Sequence, residues 1–526
     1  MKFRLVLLAF LCSITLLTRA QTASENPLFR HIPADADRIF HINYLAISSK
    51  LDWQSIAAVM PPSDENKQMI AFILNPAFAG IDTHPGVIIS ETNILGPDSA
   101  HYTTILVGLT DSAKFLQLLK GRQKSNFTIL PGKSRIGKDG DNTVWCWTDK
   151  LLVCVVVKAP KNTTPSEATR HRYFLTAVRK CQAALKGSDT NPFITNPAFY
   201  KGFSDDGDVH IWSQYGSGFG MMADAMRMSK APVDNNFLKV AEQVKHSRSQ
   251  TLSTLRFDNG AIRFHVHVFY DSTYNFDFAR RPLNPELIEH LPQGNLLGMA
   301  AIHIDLNALL NLVQTQTKGK YIHTLDSLLE KKHLTTNDIV AAFKGDLVLA
   351  MIDSGKIIPA TDTSGVKPGK PDLFLVVTVK NPAAFAKVLD ALQKKDSAGI
   401  KKKDGRTLRN NIFVLGSTQQ ATDDYFDKPG RGPSPLVSDA FRSAPIAVAV
   451  DIKAISAYLA PVFNDPNVSA KNKQTQVILS LFDQVLFATA RARDREMETL
   501  FEIKMTDSRQ NSLTTISQLI KSAGKK

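Results

Sequence analysis

Apolar residues along this chain fall into short strand-like runs, each closed by a polar cap and followed by a helical stripe. In "TTILVGLTDSAKFLQLLKG", from Thr103, a β-rich run ends at Asp111, whose carboxylate can accept from the free N–H groups of a helix start. Phe115, Leu118 and Leu119 follow at the spacing of one helical face. "LFLVVTVKNPAAFAKVLDAL", from Leu373, repeats the arrangement without a gap, with Asn381 as cap and Phe385, Val388 and Leu389 on the face. The pattern predicts a strand and then a capped helix at both places.

Three more pairs occur in the same order. "HIPADADRIFHINYLAISSKL" from His31 resembles "HLPQGNLLGMAAIHIDLNALLNLV" from His290, and "NPFITNPAFYKGFSDDGDVHIWSQY" from Asn191 parallels "SPLVSDAFRSAPIAVAVDIKAI" from Ser434. "TLRFDNGAIRFHVHVFYDS" and "VLFATARARDREMETLFEIKMTDS" both read as hairpins, the first turning at Asn259-Gly260. Four paired blocks predict two homologous halves, residues 21–280 and 281–526. Strands such as "RFHVHVF" alternate polar and apolar, as in sheets with one exposed or differently packed face. The expected fold class is α+β, each half a mixed or largely antiparallel sheet with packed helices.

Ahead of the first half, "MKFRLVLLAFLCSITLLTRAQ" has a charged start, an apolar run from Leu5 to Leu17 and a small residue at Ala20. It reads as a signal peptide over residues 1–20, too short in its apolar run for a membrane span. A lipoprotein cysteine at Cys12 is not favoured, because Phe10 and Leu11 precede it where small residues are wanted. No later run is a continuous apolar span, so no transmembrane segment is expected after cleavage. Loss of Lys2, Arg4 and Arg19 takes the formal charge from +14 to +11, a balance that attracts anionic surfaces. The basic residues are dispersed, and no zinc-finger spacing or aromatic-studded basic strand points to nucleic acid.

Of the three remaining cysteines, Cys146 and Cys154 flank a hairpin in "WCWTDKLLVC". A three-residue loop sets them opposite one another and permits a disulfide, whereas a two-residue loop puts them on opposite faces as buried thiols. Gly216, Gly218 and Gly220 lack the spacing of a dinucleotide loop, and Tyr215 stands where a nucleophile elbow needs glycine. The equivalent junctions, capped at Asn43, Asp305 and Asp451, do without glycine, so the cluster reads as a variation on a helix start. Asp205, Asp206 and Asp208 lack the closing Glu of a calcium loop.

Four histidines are weak candidates for a site. His265 and His267 lie two apart on a strand, short of the three or four ligands that zinc requires. His41 and His303 hold equivalent places two residues before a cap and approach each other only if the halves pack about a pseudo-two-fold axis. No catalytic residue, cofactor site or metal site is assigned.

Through "IPADADRIFHINYLAISSKL", "LVVTVKNPAAFAKVLDAL" and the "NPAF" to "DDGDVHIWSQY" block, the chain resembles the exported domain-of-unknown-function family 4836 of Bacteroidota. The resemblance implies a cell-envelope location and carries no known active site. It also gives meaning to Asp98-Ser99-Ala100 and Asp396-Ser397-Ala398, which match the O-glycosylation sequon of that phylum. The expected function is a non-enzymatic binding or interaction module facing an envelope protein, glycan or lipid. The alternatives are a hydrolase of envelope or extracellular polymers and a periplasmic carrier of small apolar ligands.

Overall fold

The computed structural model describes residues 26–53, 75–94, 100–121, 127–130, 135–159, 164–203, 206–214, 249–270, 277–291, 295–353, 357–358, 367–393, 405–427, 436–463 and 470–524, apart from 141, 318 and 494. The segment read as a signal peptide and the glycine cluster lie outside them. Asp98, Ser99 and the Asp396-Ser397-Ala398 triplet do so too. No helix among the described residues is long and apolar enough to cross a membrane.

The chain forms two compact units. The first runs to Asp258 and takes in the segment from Asn511, and the second is Asn259–Gln510. The division therefore precedes the expected one at residue 280, for a reason visible in the hydrogen bonds. The strand Ala261–Phe269 pairs along its whole length with Glu496–Lys504 of the second unit. Asn511 donates to the Phe257 carbonyl at 2.7 Å and Thr514 to the Lys50 carbonyl, which fixes the helix Ser512–Gly524 in the first unit.

The strands of the first unit are β1 (Arg38–Ile42), β2 (Ile81–Ile94), β3 (Ala100–Leu109), β4 (Phe127–Ile129), β5 (Ile136–Asp139), β6 (Thr143–Trp147), β7 (Leu151–Lys158), β8 (Val209–Ser213) and β9 (Gln250–Asp258). They pair in the order β9-β8-β1-β2-β3-β7-β6-β5-β4, every pairing antiparallel. The second unit contains β10 (Ala261–Phe269), β11 (Asn295–His303), β12 (Phe343–Asp353), β13 (Ile357–Ile358), β14 (Lys367–Pro368), β15 (Asp372–Val379), β16 (Gly405–Arg409), β17 (Ile412–Gly416), β18 (Ile446–Asp451), β19 (Phe482–Thr489) and β20 (Glu496–Met505). Its sheet runs β10-β20-β19-β18-β11-β12-β15-β17-β16, again antiparallel throughout. The α+β class with antiparallel sheets is thus what the chain adopts. The two orders also correspond strand for strand from β9-β8-β1-β2-β3-β7-β6 to β19-β18-β11-β12-β15-β17-β16.

Local chemistry explains the helix starts. Asp111 Oδ1 accepts from the N–H groups of Ala113 and Lys114, and Asn381 Oδ1 from those of Ala383 and Ala384. Asn43, Asp305 and Asp451 cap their helices in the same way. The helix Glu167–Lys186 buries Tyr173, Ala177, Val178, Cys181 and Ala184, one stripe at helical spacing. In the first unit Phe199 stacks on Phe203 at 4.3 Å and Phe193 meets Trp212 edge-on at 4.8 Å, filling the core beside β8. Asp208, fully buried, is held by Lys50 Nζ at 2.7 Å from each carboxylate oxygen and by the Phe257 N–H at 2.6 Å. It ties the helix carrying Lys50 to β9.

In the second unit one sheet face is closed. Val348, Ala350, Ile352, Phe374, Val376, Ala447, Ala449 and Leu486 pack beneath Leu287, Ile288, Tyr425 and Phe441 from three short helices, Glu286–Glu289, Gln419–Asp427 and Asp439–Ser443. Ile352→Ala, on this buried face, should cost ~2–5 kcal/mol of unfolding free energy. Leu349→Ala, on the same strand but the opposite face, should change it by no more than ~0.5 kcal/mol. Urea unfolding of both variants measures the difference, and equal losses would contradict the assignment of faces.

Candidate functional site

The strand-end histidines sit where the sheet irregularities are. Between β2 and β3 the register passes from Asp82↔Gly108 to Val87↔Val107, and between β12 and β15 from Phe343↔Val379 to Leu347↔Val377. Each bulge carries a glycine at positive φ, Gly86 at 71° and Gly345 at 118°. A Cβ on Gly86 would come within 2.5 Å of the Ile42 carbonyl oxygen, and one on Gly345 within 2.2 Å of that of Ile304. Only glycine fits a bulge pressed this closely on the residue after the histidine.

The two histidines then meet different groups. His41 Nε2 donates to the Pro85 carbonyl at 3.1 Å, and its Nδ1 faces His210 Nδ1 at 3.4 Å. The imidazoles stack 5.6 Å apart beside Phe29 and Phe203. Burial, reinforced by the neighbouring His210, lowers the His41 pKa to about 4, so the ring is neutral near pH 7. His303 Nδ1 instead meets Asp346 Oδ1 at 2.7 Å. Thr378 donates to Asp346 Oδ2 at 2.9 Å and the Asn284 N–H to Oδ1 at 3.3 Å. Burial pushes the Asp346 carboxyl up, but the bond and charge of His303, with the other two donors, outweigh it and hold the group below its ordinary range. Each histidine thus has its partners within its own unit.

His265 and His267 lie on β10 opposite the acidic end of β20. His267 Nε2 is 2.9 Å from Glu496 Oε2 and Nδ1 is 3.4 Å from Glu498 Oε1, with the ring stacked on Phe269 at 4.4 Å. His265 is exposed. No group of three or more His, Cys, Asp or Glu among the described residues is placed to hold a metal ion.

The disulfide reading is corrected by one residue of loop length. Thr148 N donates to the Leu151 carbonyl at 2.8 Å, closing a two-residue turn, so Cys146 pairs with Val153 and Trp145 with Cys154. Cys146 and Cys154 therefore point to opposite faces, and both are free buried thiols. Cys181 is a third, its Sγ 3.4 Å from the Val153 carbonyl oxygen. Burial raises the Cys154 thiol to about 12 and the Cys181 thiol further still.

The surface that sequence reasoning missed is the second face of the second unit's sheet. One register row across eight strands reads Leu415, Leu375, Leu349, Ala300, Val448, Phe487, Phe501, Phe264. The next reads Leu373, Met351, Gly298, Val450, Val485, Ile503, Ile262. Neither row contains a polar side chain, and none of these residues is buried. Leu349 is 48% exposed, Leu373 51% and Val448 38%, in mid-sheet where apolar side chains are ordinarily covered. The helix Ile452–Phe463 lies against β11 and β19, with the Tyr458 hydroxyl bonded to the Gly369 carbonyl. The helices Thr336–Ala342 and Pro382–Gln393 cover the β15 and β17 side, where Leu347, Leu375 and Leu415 are partly buried. Between these helices the rows form an open apolar trough. In the first unit a recess of about 250 Å³ beside the β2 bulge is lined by Tyr44, Pro76, Ile81, Val87 and Val107.

His41 gives this geometry a pH signature. In the unfolded chain it takes a proton near 6.5, in the folded chain only near 4. Between those values the unfolded state binds more protons, so folding stability falls as pH falls. His41→Gln should remove part of that loss, roughly 3 kcal/mol at most. Urea midpoints measured on either side of the window check it, and an unchanged acid dependence would refute the assignment.

No protein-family model matches the chain, and no curated protein matches it. Among solved structures, crystal form III of TP0453 aligns with a TM-score of 0.29 at 7% identity, covering 47% of this chain and 81% of that one. Crystal form IV of TP0453 aligns with a TM-score of 0.26 at 8% identity, covering 46% and 79%. At TM-scores this low neither likeness bears on fold or function.

Proposed function

We propose that this chain is an exported cell-envelope protein that works by binding rather than by catalysis, with the trough of the second unit as its docking surface. The observation that supports this reading is the pair of apolar register rows left open between helices. Exposed apolar surface costs ~25 cal/mol per Å², so an uncovered sheet face is retained at a standing loss unless something fills it. The absence of polar side chains from the rows favours an apolar portion of the partner over a glycan.

A second reading has its own observation. The buried Asp346–His303 pair has the geometry of the orienting half of a hydrolytic triad. No hydroxyl or thiol bonds to His303 Nε2 among the described residues, so no nucleophile is assigned to this pair and the binding reading is preferred.

The test is site-specific photo-cross-linking in the native envelope, with a photoreactive amino acid replacing Leu349 in the trough. A control carries it at Leu408, 41% exposed on the edge strand β16. A discrete adduct at Leu349 and none at Leu408 is expected. Absence of an adduct at Leu349, or equal labelling at both places, would sink the docking surface.

A further inference from the structure

We infer that Cys146 and Cys181 are a disulfide pair, closed by thiol–disulfide exchange when the chain folds in an oxidising medium. The pair is independent of the trough and takes up two of the three thiols that the first unit buries. Cys146 stands on β6 in register with Val153 of β7. Cys181 Sγ, on the helix Glu167–Lys186, lies 3.4 Å from the Val153 carbonyl oxygen and 3.7 Å from that of Val144. One carbonyl belongs to the residue opposite Cys146 and the other to the residue two before it, so the Cys181 sulfur rests over the Cys146 backbone.

The two side chains share a face of the sheet. Tyr102 pairs with Val157, and Val157 shares a face with Val153 and its partner Cys146. Lys180 Nζ sits 5.5 Å from the centre of the Tyr102 ring, so the helix covers that same face. Burial, and then the hydrogen bond with the Cys146 side chain, push the Cys181 thiol up. Cys154 projects to the other face with Trp145, which meets Phe115 of the helix Ser112–Gly121. No third ligand-type side chain is grouped with the two sulfurs among the described residues, so the pair falls short of a metal's ligand set.

The chemistry balances with a disulfide as oxidant. One cysteine thiolate attacks a sulfur of glutathione disulfide, forming a mixed disulfide and releasing one glutathione. The other thiolate attacks the protein sulfur of that mixed disulfide and expels the second glutathione. The protein gives up two protons and two electrons, and one glutathione disulfide becomes two thiols. Both cysteines are 0% exposed in the folded chain, so exchange takes place before the helix closes over β6. The new bond closes a loop of about 35 residues and joins helix to sheet where reductants do not reach. Export, as proposed above, supplies the oxidising medium, but the pairing belongs to the fold and is tested without it.

The experiment is refolding of the purified, reduced full chain, carrying Cys12→Ser, in a glutathione redox buffer. Iodoacetamide then traps free thiols under denaturing conditions, and peptides are mapped without reduction. A linked Cys146–Cys181 peptide is expected, with alkylation falling from all three cysteines in chain refolded under reductant to Cys154 alone. Cys154→Ala should keep the bridge and Cys146→Ala should lose it, with circular dichroism verifying each fold. Chain secreted into a bacterial periplasm and trapped at lysis gives the same reading without refolding. Three alkylated cysteines in oxidised, folded chain, or a bridge that includes Cys154, overturns the inference. The photo-adduct at Leu349 tests the docking surface separately, and neither result bears on the other.

Discussion

An antiparallel strand presents two faces, and a sheet that makes both apolar must cover both or leave one to another molecule. That constraint organises the second unit. Short helices close the face of Val348, Ala350 and Phe374, while longer helical excursions leave β11 and β18 from opposite strand ends and only partly close the other. The open rows follow from this unequal coverage. They are continuous because the register between neighbouring strands holds through the middle of the sheet, its shifts confined to strand ends.

The same scaffold position carries opposite electrostatics in the two units. A glycine bulge next to the opening strand presses on the carbonyl that follows a histidine in both. In one case the histidine is offered a carbonyl and another imidazole, and neutrality is favoured. In the other a carboxylate takes the place that Val87 holds beside Gly86, and the histidine bonds to it at 2.7 Å. The residue after the shared glycine, Val87 in one unit and Asp346 in the other, is one of the differences that separate an aromatic box from a carboxylate-bonded histidine.

The caps and helix faces were legible because they are local. Asp111, Asn381, Asn43, Asp305 and Asp451 accept from N–H groups two or three residues away, and spacing alone specifies such contacts. The fate of Cys146 and Cys154 was not, because it turned on whether the hairpin loop had two residues or three. Gly86 and Gly345 could have been found by aligning "PGVII" with "KGDLV" and asking what a shared glycine inside an apolar strand permits. The trough left a fainter trace. "DLVLAMI" and "IAVAV" are filled apolar runs, which announce two buried faces but not which helices will cover them or how completely. Coverage is a long-range property of the packed chain.

The return of the last helix to the first unit sets an order of events during biosynthesis. Lys50 and Phe257 wait for Thr514 and Asn511, and the whole second unit is made in between. At ~5–20 residues per second that interval is roughly tens of seconds. The earliest part of the chain is therefore the last to be completed, and the first unit stays unfinished until synthesis has passed through the whole of the second.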